Sequence, residues 1–246
     1  MREIDQVKFQ LGLLPPMLLV WFLFAERASV KSRMLCSAMF VAGFGLMLCV
    51  TPIANLMSPA GRTVAIPGNA GRALWQGNNP LADGFYNWAD GTPSGDAFIA
   101  RHGFKARLEQ ADAFEKDRLY RQLALLWIRE HPGSFGLLCL KKLNNAFGLF
   151  PQAQVFERDP RARWIHLLTY GLLLPFALCG FIASRRRWRS CALLHLVLVS
   201  YSLMVVVFYG TPRFTLLVIP VLLVFASLGM TTVFDAIVLK RRGGTA

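Results

Sequence analysis

Hydrophobic and polar residues are separated into long blocks along this chain. Five apolar segments, at 9–25, 34–57, 164–184, 190–212 and 214–234, contain no Asp, Glu, Lys or Arg. A helix needs roughly 20 predominantly apolar residues to cross a hydrocarbon core about 30 Å thick. The pattern therefore predicts about five transmembrane helices. Pro15 and Pro16 are expected to kink or break the first and shortest of them.

Basic residues next to three of these segments predict the orientation. They follow the first, third and fifth segments: Arg27, Lys31 and Arg33; Arg185, Arg186, Arg187 and Arg189; Lys240, Arg241 and Arg242. Because Lys and Arg near span ends are held on the cytoplasmic side, the C-terminus is expected inside, and the N-terminus and residues 58–163 outside. Glu3 and Asp5 argue against a cleaved signal peptide. A first helix entering from outside indicates preceding helices, so we expect the C-terminal part of a larger membrane protein.

The long outer stretch divides the chain into three parts: two helices in 1–57, a non-cytoplasmic loop in 58–163, and three helices in 164–246. Gly, Pro and Asn dominate the start of the loop, so no regular helix is expected between 58 and 95. From Gly95 onward the apolar spacing predicts an amphipathic helix, supported by Lys105 with Glu109 and Asp117 with Arg121 at i,i+4. His131 and Pro132 are expected to end it.

A second amphipathic helix is predicted to follow, capped by Ser134. Its apolar face carries Phe135, Cys139, Leu140, Leu143, Phe147 and Phe150, and its polar face carries Lys141, Lys142, Asn144 and Asn145. The pattern is typical of a helix lying in the membrane interface. Lys141 and Lys142 would then lie at the level of lipid phosphates.

The composition agrees with an all-α integral membrane protein. Hydrophobic residues make up 54% of the 246 residues and charged residues 17%, against about 25% charged in soluble domains. The net charge of +13 favours anionic lipids as partners, and no motif indicates nucleic acid. Five cysteines without C-x-x-C spacing indicate neither a disulfide framework nor a zinc site.

Several short motifs become informative through their order and their positions relative to the apolar segments. They are WQGNNP at 75–80, GFY at 84–86, WIREHPGSF at 127–135, Lys142-Leu143, and GTPRF at 210–214. Taken together they resemble the C-terminal half of bacterial membrane glycosyltransferases of the dolichyl-phosphate-mannose protein mannosyltransferase type. This GT-C superfamily also includes the aminoarabinose transferases of lipid A, and the resemblance covers nearly the whole chain.

The resemblance implies a bacterial inner-membrane enzyme with its 58–163 loop periplasmic or extracellular. Such enzymes transfer a sugar from a polyprenyl-phosphate donor to a lipid, glycan or protein acceptor at the outer face, inverting the anomeric centre. The family's essential acidic pair, which activates the acceptor or helps to hold a divalent metal, follows its first membrane helix and has no counterpart here. The catalytic residues are therefore unknown, and another membrane chain supplying the N-terminal half is an expected partner.

Six residues are candidates for binding substrate or lipid phosphate: Arg213, Lys141, Lys142, Asn78, Asn79 and Arg72. Arg213 opens the fifth apolar segment, where a charge requires a phosphate, a carboxylate or water. It can equally snorkel to the interface. The two asparagines can instead satisfy their own turn, and Arg72 can be a solvated loop charge. The outer-loop carboxylates Asp83, Asp90 and Asp96 are not assigned as a base.

Two other functions stay open at this point. A non-catalytic membrane subunit would keep the fold and lack the acid-bearing half. A lipid or sugar transporter is suggested by proline-interrupted spans, such as those that hold Pro15 with Pro16 and Pro220.

Overall fold

The computed structural model describes residues 13–24, 29–56, 70–148 and 160–243, which fold into helices joined by turns. No strand occurs within these ranges, so the all-α part of the predicted fold class is confirmed for them. The α-helices are α1 (Leu14–Phe24), α2 (Val30–Leu56), α3 (Ala70–Gly77), α4 (Pro93–Arg101), α5 (Lys105–Gln110), α6 (Ala113–Glu130), α7 (Pro132–Phe147), α8 (Pro160–Ser184), α9 (Ala192–Val207), α10 (Pro212–Thr215) and α11 (Ile219–Gly243). Glu3, Asp5, Arg27 and Phe150 lie outside the described residues.

A helix lies over each of the five predicted spans. Within the described ranges, two of these helices are long and apolar enough to cross a membrane, α8 over Arg163–Ser184 and α11 over Ile219–Val238, whereas α1 and α9 are apolar but shorter. Five spans are therefore not confirmed. Only 17% and 22% of the most apolar windows of α8 and α11 is buried within the protein. A core helix of a soluble protein would be mostly buried, so the exposed apolar surface of both helices is of the kind that lipid covers.

Pro15 and Pro16 lie at the start of α1 and the helix continues past them to Phe24, while residues 9–12 of the predicted span lie outside the described residues. The helix begins at Leu14, so both prolines fall within its first turn. The first N–H groups of a helix have no partner inside it, and proline at this point therefore removes no hydrogen bond.

The two long apolar helices pack with their backbones in direct contact. A Cβ atom added to Gly180 of α8 would overlap the carbonyl of Phe225 in α11, and one added to Gly229 of α11 would overlap the carbonyl of Phe176. Small residues at a crossing allow helices in a membrane to approach this closely. The buried cluster around the pair includes Tyr201, Val205, Val218, Leu222 and Phe225.

Helices α3 to α7 come from the predicted outer loop and pack around a core of their own, and we call them the outer domain. Trp75, Phe98, Leu123, Trp127 and Leu138 are buried together there. The expectation of no regular helix between 58 and 95 is wrong for α3. Burial of Trp75 and the close approach of Gly71 to the Asp117 backbone in α6 stabilise this helix, so tertiary packing overrides weak local propensity.

The amphipathic helix predicted from Gly95 to Glu130 is instead three helices, α4, α5 and α6. Thr92 caps α4 by accepting from the Gly95 N–H, and Asp112 caps α6 by accepting from the N–H groups of Phe114 and Glu115. Gly103 turns the chain between α4 and α5 with a φ of 71°. These start and turn signals interrupt an otherwise continuous periodic pattern.

The predicted end of this region at His131 and Pro132 is confirmed, because α6 ends at Glu130. The predicted Asp117–Arg121 ion pair is present at 3.5 Å. Ser134 is not the cap of the next helix. Pro132 already occupies the first turn of α7, and His131 is the N-cap residue.

Candidate functional site

Three segments that are distant in sequence meet at one buried amine. The Nζ atom of Lys142 in α7 donates to Oδ1 of Asn78 at 2.8 Å and to the carbonyl of Val206 in α9 at 2.9 Å. Lys142 and Asn78 are both completely buried. We call these two side chains, with the Val206 and Val207 carbonyls, the Asn78–Lys142 junction.

The Asn78 amide completes the junction. Its Nδ2 donates to the Leu74 carbonyl at 2.8 Å, near the end of α3, and to the Val207 carbonyl at 2.9 Å, at the end of α9. A buried polar group costs little only when its hydrogen bonds are made, and the amide of Asn78 is engaged on both its nitrogen and its oxygen. The side chain therefore fastens the outer domain to α9.

The Asn79 side chain forms hydrogen bonds to the backbone of its own turn, which is one of the two interpretations open for it from the sequence. Its Nδ2 donates to the carbonyls of Trp75 at 2.9 Å and Asn87 at 3.0 Å, and its Oδ1 accepts from the Leu81 N–H at 2.8 Å. Asn79 is fully buried. Its contacts hold the loop after α3 rather than a ligand.

Glycines line the junction where backbones approach closely. A Cβ on Gly77 would overlap the carbonyl of Phe208, and one on Gly210 would overlap the carbonyl of Lys142. Gly84 has a φ of 104°, which favours glycine. Its carbonyl accepts a hydrogen bond from the Gly210 N–H at 3.0 Å. The motifs that carry the sequence resemblance thus contribute backbone as well as side chains to this contact.

The predicted position of Lys142 on the lipid-facing polar side of its helix is wrong, because this side chain is buried and points into the protein. The buried face of α7 contains Leu138, Lys142, Asn145 and Ala146. Burial lowers the pKa of Lys142 from its ordinary value of 10.5 to about 7, and the nearby Cys139 opposes this shift. Burial likewise raises the pKa of the Cys139 thiol. Lys142 therefore acts as an internal hydrogen-bond donor.

The opposite face of α7 is exposed and mixes apolar and polar side chains. Leu140, predicted on the apolar face, is 64% exposed, and Lys141 and Asn144 are exposed beside it. A shallow depression of about 260 Å³ is lined by Leu140, Lys141, Asn144 and Asn145. Of the two predicted lysines, only Lys141 is in a position to meet a lipid or a ligand.

Helix α10, which contains Arg213, packs against the end of α7. The Thr215 hydroxyl donates to the Ala146 carbonyl at 2.7 Å, and Tyr201 from α9 contacts Thr215 at 3.1 Å. The Arg213 backbone belongs to this short helix, and its side chain is outside what the structure describes. Lys141 and Arg213 are therefore carried by two helices that contact each other.

Arg72 lies apart from the junction, on α3 rather than in a loop. Its guanidinium is 4.3 Å from the centre of the Trp88 ring, and its backbone N–H donates to Oδ1 of Asp117 at 3.0 Å. It lines a cavity between α3, α4, α5 and α6. The sequence did not indicate that the residues around this cavity come together, because i,i+4 spacing shows only neighbours on one helix.

The described residues contain no group of three or more His, Cys, Asp or Glu side chains that could hold a metal ion. The described part of the chain therefore does not fit the divalent metal that the sequence resemblance allows. No family model, no curated protein and no solved structure matches this chain. Its chemistry therefore has to be inferred from its own residues and contacts.

Proposed function

We propose that this chain is the C-terminal module of a membrane glycosyltransferase that uses a polyprenyl-phosphate-linked sugar. One observation carries the proposal: the WQGNNP segment, Lys142 and the region before GTPRF meet at the Asn78–Lys142 junction. These segments resemble those of such enzymes in order and spacing. Their convergence gives a physical reason for that order, because each supplies part of one buried contact.

The junction would hold the outer domain in a fixed position on the apolar helices. Lys141 on α7 and Arg213 on α10 would then lie at the membrane boundary, where the donor phosphate is found. Cations placed there stabilise the charge that develops on a departing phosphate. In this scheme Lys141 and Arg213 bind the donor phosphate. Lys142, Asn78 and Asn79 hold the surrounding helices and loop in position.

The proposed arrangement has five spans, with the N-terminus and 58–163 outside and the C-terminus in the cytoplasm of a bacterial inner membrane. Helices over all five segments and the basic link at 185–189 support it. The positions of α8 and α11 support it most directly, since both have the required length and apolarity.

The reaction requires a carboxylate that is not assigned to any residue here. An acceptor hydroxyl attacks the anomeric carbon from the face opposite the phosphate, and its proton passes to that carboxylate. The carbon–oxygen bond to phosphate breaks, and the polyprenyl phosphate leaves with the electron pair. We propose that the base comes from a partner chain or a further part of the same polypeptide.

The test uses the purified chain in lipid vesicles with a radiolabelled, polyprenyl-phosphate-linked hexose as donor. The proposal expects saturable donor binding and, once the acid-bearing partner is added, covalent transfer to an acceptor. Binding without transfer under every partner condition would favour the non-catalytic subunit. Uptake of label into the vesicle lumen without a covalent product would favour the transporter.

Replacement of Lys141 tests the proposed binding surface. We expect Lys141→Gln to weaken donor binding about fivefold, because one lysine near a phosphate surface contributes about 1 kcal/mol. Arg118→Gln is the matched control, since Arg118 is an exposed cation on α6 outside the depression. Equal binding by the wild type and Lys141→Gln would remove Lys141 from the site. Donor affinity is measured by vesicle sedimentation at low and high salt.

A further inference from the structure

The outer domain contains a cavity of about 500 Å³ that the Asn78–Lys142 junction does not use. Four helices contribute to its wall, with Arg72 from α3, Asp96 from α4, Lys105 from α5 and Tyr120 from α6. Its volume falls within the range of about 300–1,000 Å³ that is usual for small-molecule sites. Eight of its eleven lining residues have polar or charged side chains, so its ligand is expected to be rich in hydrogen-bonding groups.

The charges in the wall nearly cancel. Three cations line the cavity, Arg72, Lys105 and Lys116, and they face four carboxylates, Asp90, Asp96, Glu109 and Asp117. A site for phosphate would need an excess of cations, and a site for an amine an excess of carboxylates. This near balance favours a neutral ligand that both accepts and donates hydrogen bonds.

Two of the carboxylates are held in place by other contacts. Asp90 accepts from the Trp75 indole N–H at 2.8 Å and from the Tyr120 hydroxyl, and Asp96 accepts from the Gly91 N–H at 2.9 Å. Each carboxylate oxygen keeps a second lone pair for a further donor. These acceptors are therefore oriented before any ligand arrives.

The donors are available as well. Neither the side-chain amine of Lys105 nor that of Lys116 makes an ion pair or hydrogen bond within the described part of the chain. Burial raises the pKa of Tyr120, so its hydroxyl stays protonated and continues to orient Asp90. Fixed acceptors and uncommitted donors in one cavity match a polyol, whose hydroxyl groups donate and accept at once.

We propose that this cavity binds a neutral saccharide unit of the glycosyl acceptor. The role of this saccharide as glycosyl acceptor rests on the proposed function, whereas saccharide binding is argued from the cavity itself. Hydroxyl groups of the sugar would donate to Asp90 and Asp96 and accept from Lys105 and Lys116. The acceptor would thus be held by the outer domain while its reacting hydroxyl reaches the membrane boundary.

The test measures binding of sugars alone to the purified full chain, without donor or partner. The probes are methyl α-mannoside, methyl β-galactoside and N-acetylglucosamine, with glucose 1-phosphate and glucosamine as the anionic and cationic comparisons. Saturation-transfer NMR and calorimetry are expected to show binding of at least one neutral sugar. Neither charged sugar is expected to bind more tightly. Stronger binding of a charged sugar, or no binding of any neutral one, would overturn the proposal.

Two variants locate the binding. We expect Asp96→Asn and Lys105→Gln each to weaken binding about tenfold, because each removes one charge-assisted hydrogen bond to the sugar. The asparagine keeps an oxygen for the Gly91 N–H, and Lys105 is exposed, so both variants are expected to fold. Glu115→Gln, exposed on α6 outside the cavity, is the control. Unchanged binding in both cavity variants would contradict the assignment.

The outcomes also separate this proposal from the glycosyltransferase proposal. Sugar binding that persists when no transfer is found would leave the saccharide site standing and count against the proposed enzyme. Transfer to acceptor at the wild-type rate and KM by Asp96→Asn would leave the enzyme standing and overturn the acceptor role of the cavity.

Discussion

Gly180→Ala is expected to destabilise the protein, although alanine is favoured over glycine by about 1 kcal/mol in a helix interior. A Cβ at this position would overlap the backbone of Phe225 in α11, and a backbone carbonyl cannot move aside by changing rotamer. The two helices must therefore separate along their length. We expect a net loss of about 2 kcal/mol in the free energy of unfolding, and a larger loss for Gly180→Leu.

The matched control is Gly43→Ala in α2. Gly43 has no described atom within 4 Å of an added Cβ, so alanine there should be neutral or stabilising by up to about 1 kcal/mol. Denaturant unfolding of the purified chain in detergent measures both variants. A Gly180→Ala protein as stable as the Gly43→Ala protein would show that α8 and α11 do not cross in contact.

The partner glycine gives a second check on the same crossing. Gly229→Ala should cost a similar amount, because its Cβ would meet the carbonyl of Phe176. In the double variant Gly180→Ala with Gly229→Ala, the loss should be smaller than the sum of the two single losses. One separation of the helices relieves both overlaps, and residues that share a contact are not additive.

Long apolar runs made the helices over the predicted spans readable from the sequence. The runs at 164–184 and 214–234 correspond to α8 and α11. Such runs can be recognised from the sequence without knowing any tertiary contact. The same holds for the end of α6, since a proline after His131 is a local signal. The glycine crossing was not predicted, because nothing local indicates which residue of α11 faces Gly180.

The buried position of Lys142 could not be read from local pattern either. It lies four residues after Leu138 and four before Ala146, so helical spacing places all three on one side of α7. The spacing alone nevertheless leads to a wrong prediction for Lys142, because lysine is ordinarily found on an exposed face. Its acceptor, Asn78, is 64 residues away, and only the fold brings the two together.

The cavity of the outer domain could not be predicted from local pattern for the same reason, because only the fold brings its residues together. Its walls come from four helices, and the predicted single helix over 95–130 would have spread Asp96, Lys105 and Lys116 along one rod. Thr92, Gly103 and Asp112 are the short-range signals that could have divided it. The site therefore depends on caps and turns more than on periodicity.

Lys142→Met is expected to reduce stability by an amount that grows as the pH rises. The folded protein holds the pKa of Lys142 at about 7, whereas the unfolded chain has the ordinary value of 10.5. Between these two values the unfolded chain binds the additional proton, so the free energy of unfolding increases with pH. Below about pH 7 the amine is protonated in both states, and this contribution stops changing.

The gap in the free energy of unfolding between the wild type and Lys142→Met should therefore widen by about 2–3 kcal/mol from pH 7 to pH 9. At every pH methionine also leaves the Asn78 oxygen and the Val206 carbonyl without their donor, which costs about 1–3 kcal/mol. Lys141→Met is the matched control, because it makes the same substitution at an exposed lysine of α7 outside the junction. Contributions from other titrating groups are the same in the wild type and the variant, so they cancel in the difference between the two free energies of unfolding.

Cys139 is the titratable neighbour that could imitate this behaviour. Burial raises the pKa of its thiol, which favours the protonated form, and Cys139→Ala should keep the wild-type pH dependence. Parallel pH profiles for the wild type and Lys142→Met would instead mean that the amine stays charged inside the junction. The free lone pairs of Asn78 and Val206 would then hold an ammonium, and the lysine would count as a buried cation rather than as a neutral donor.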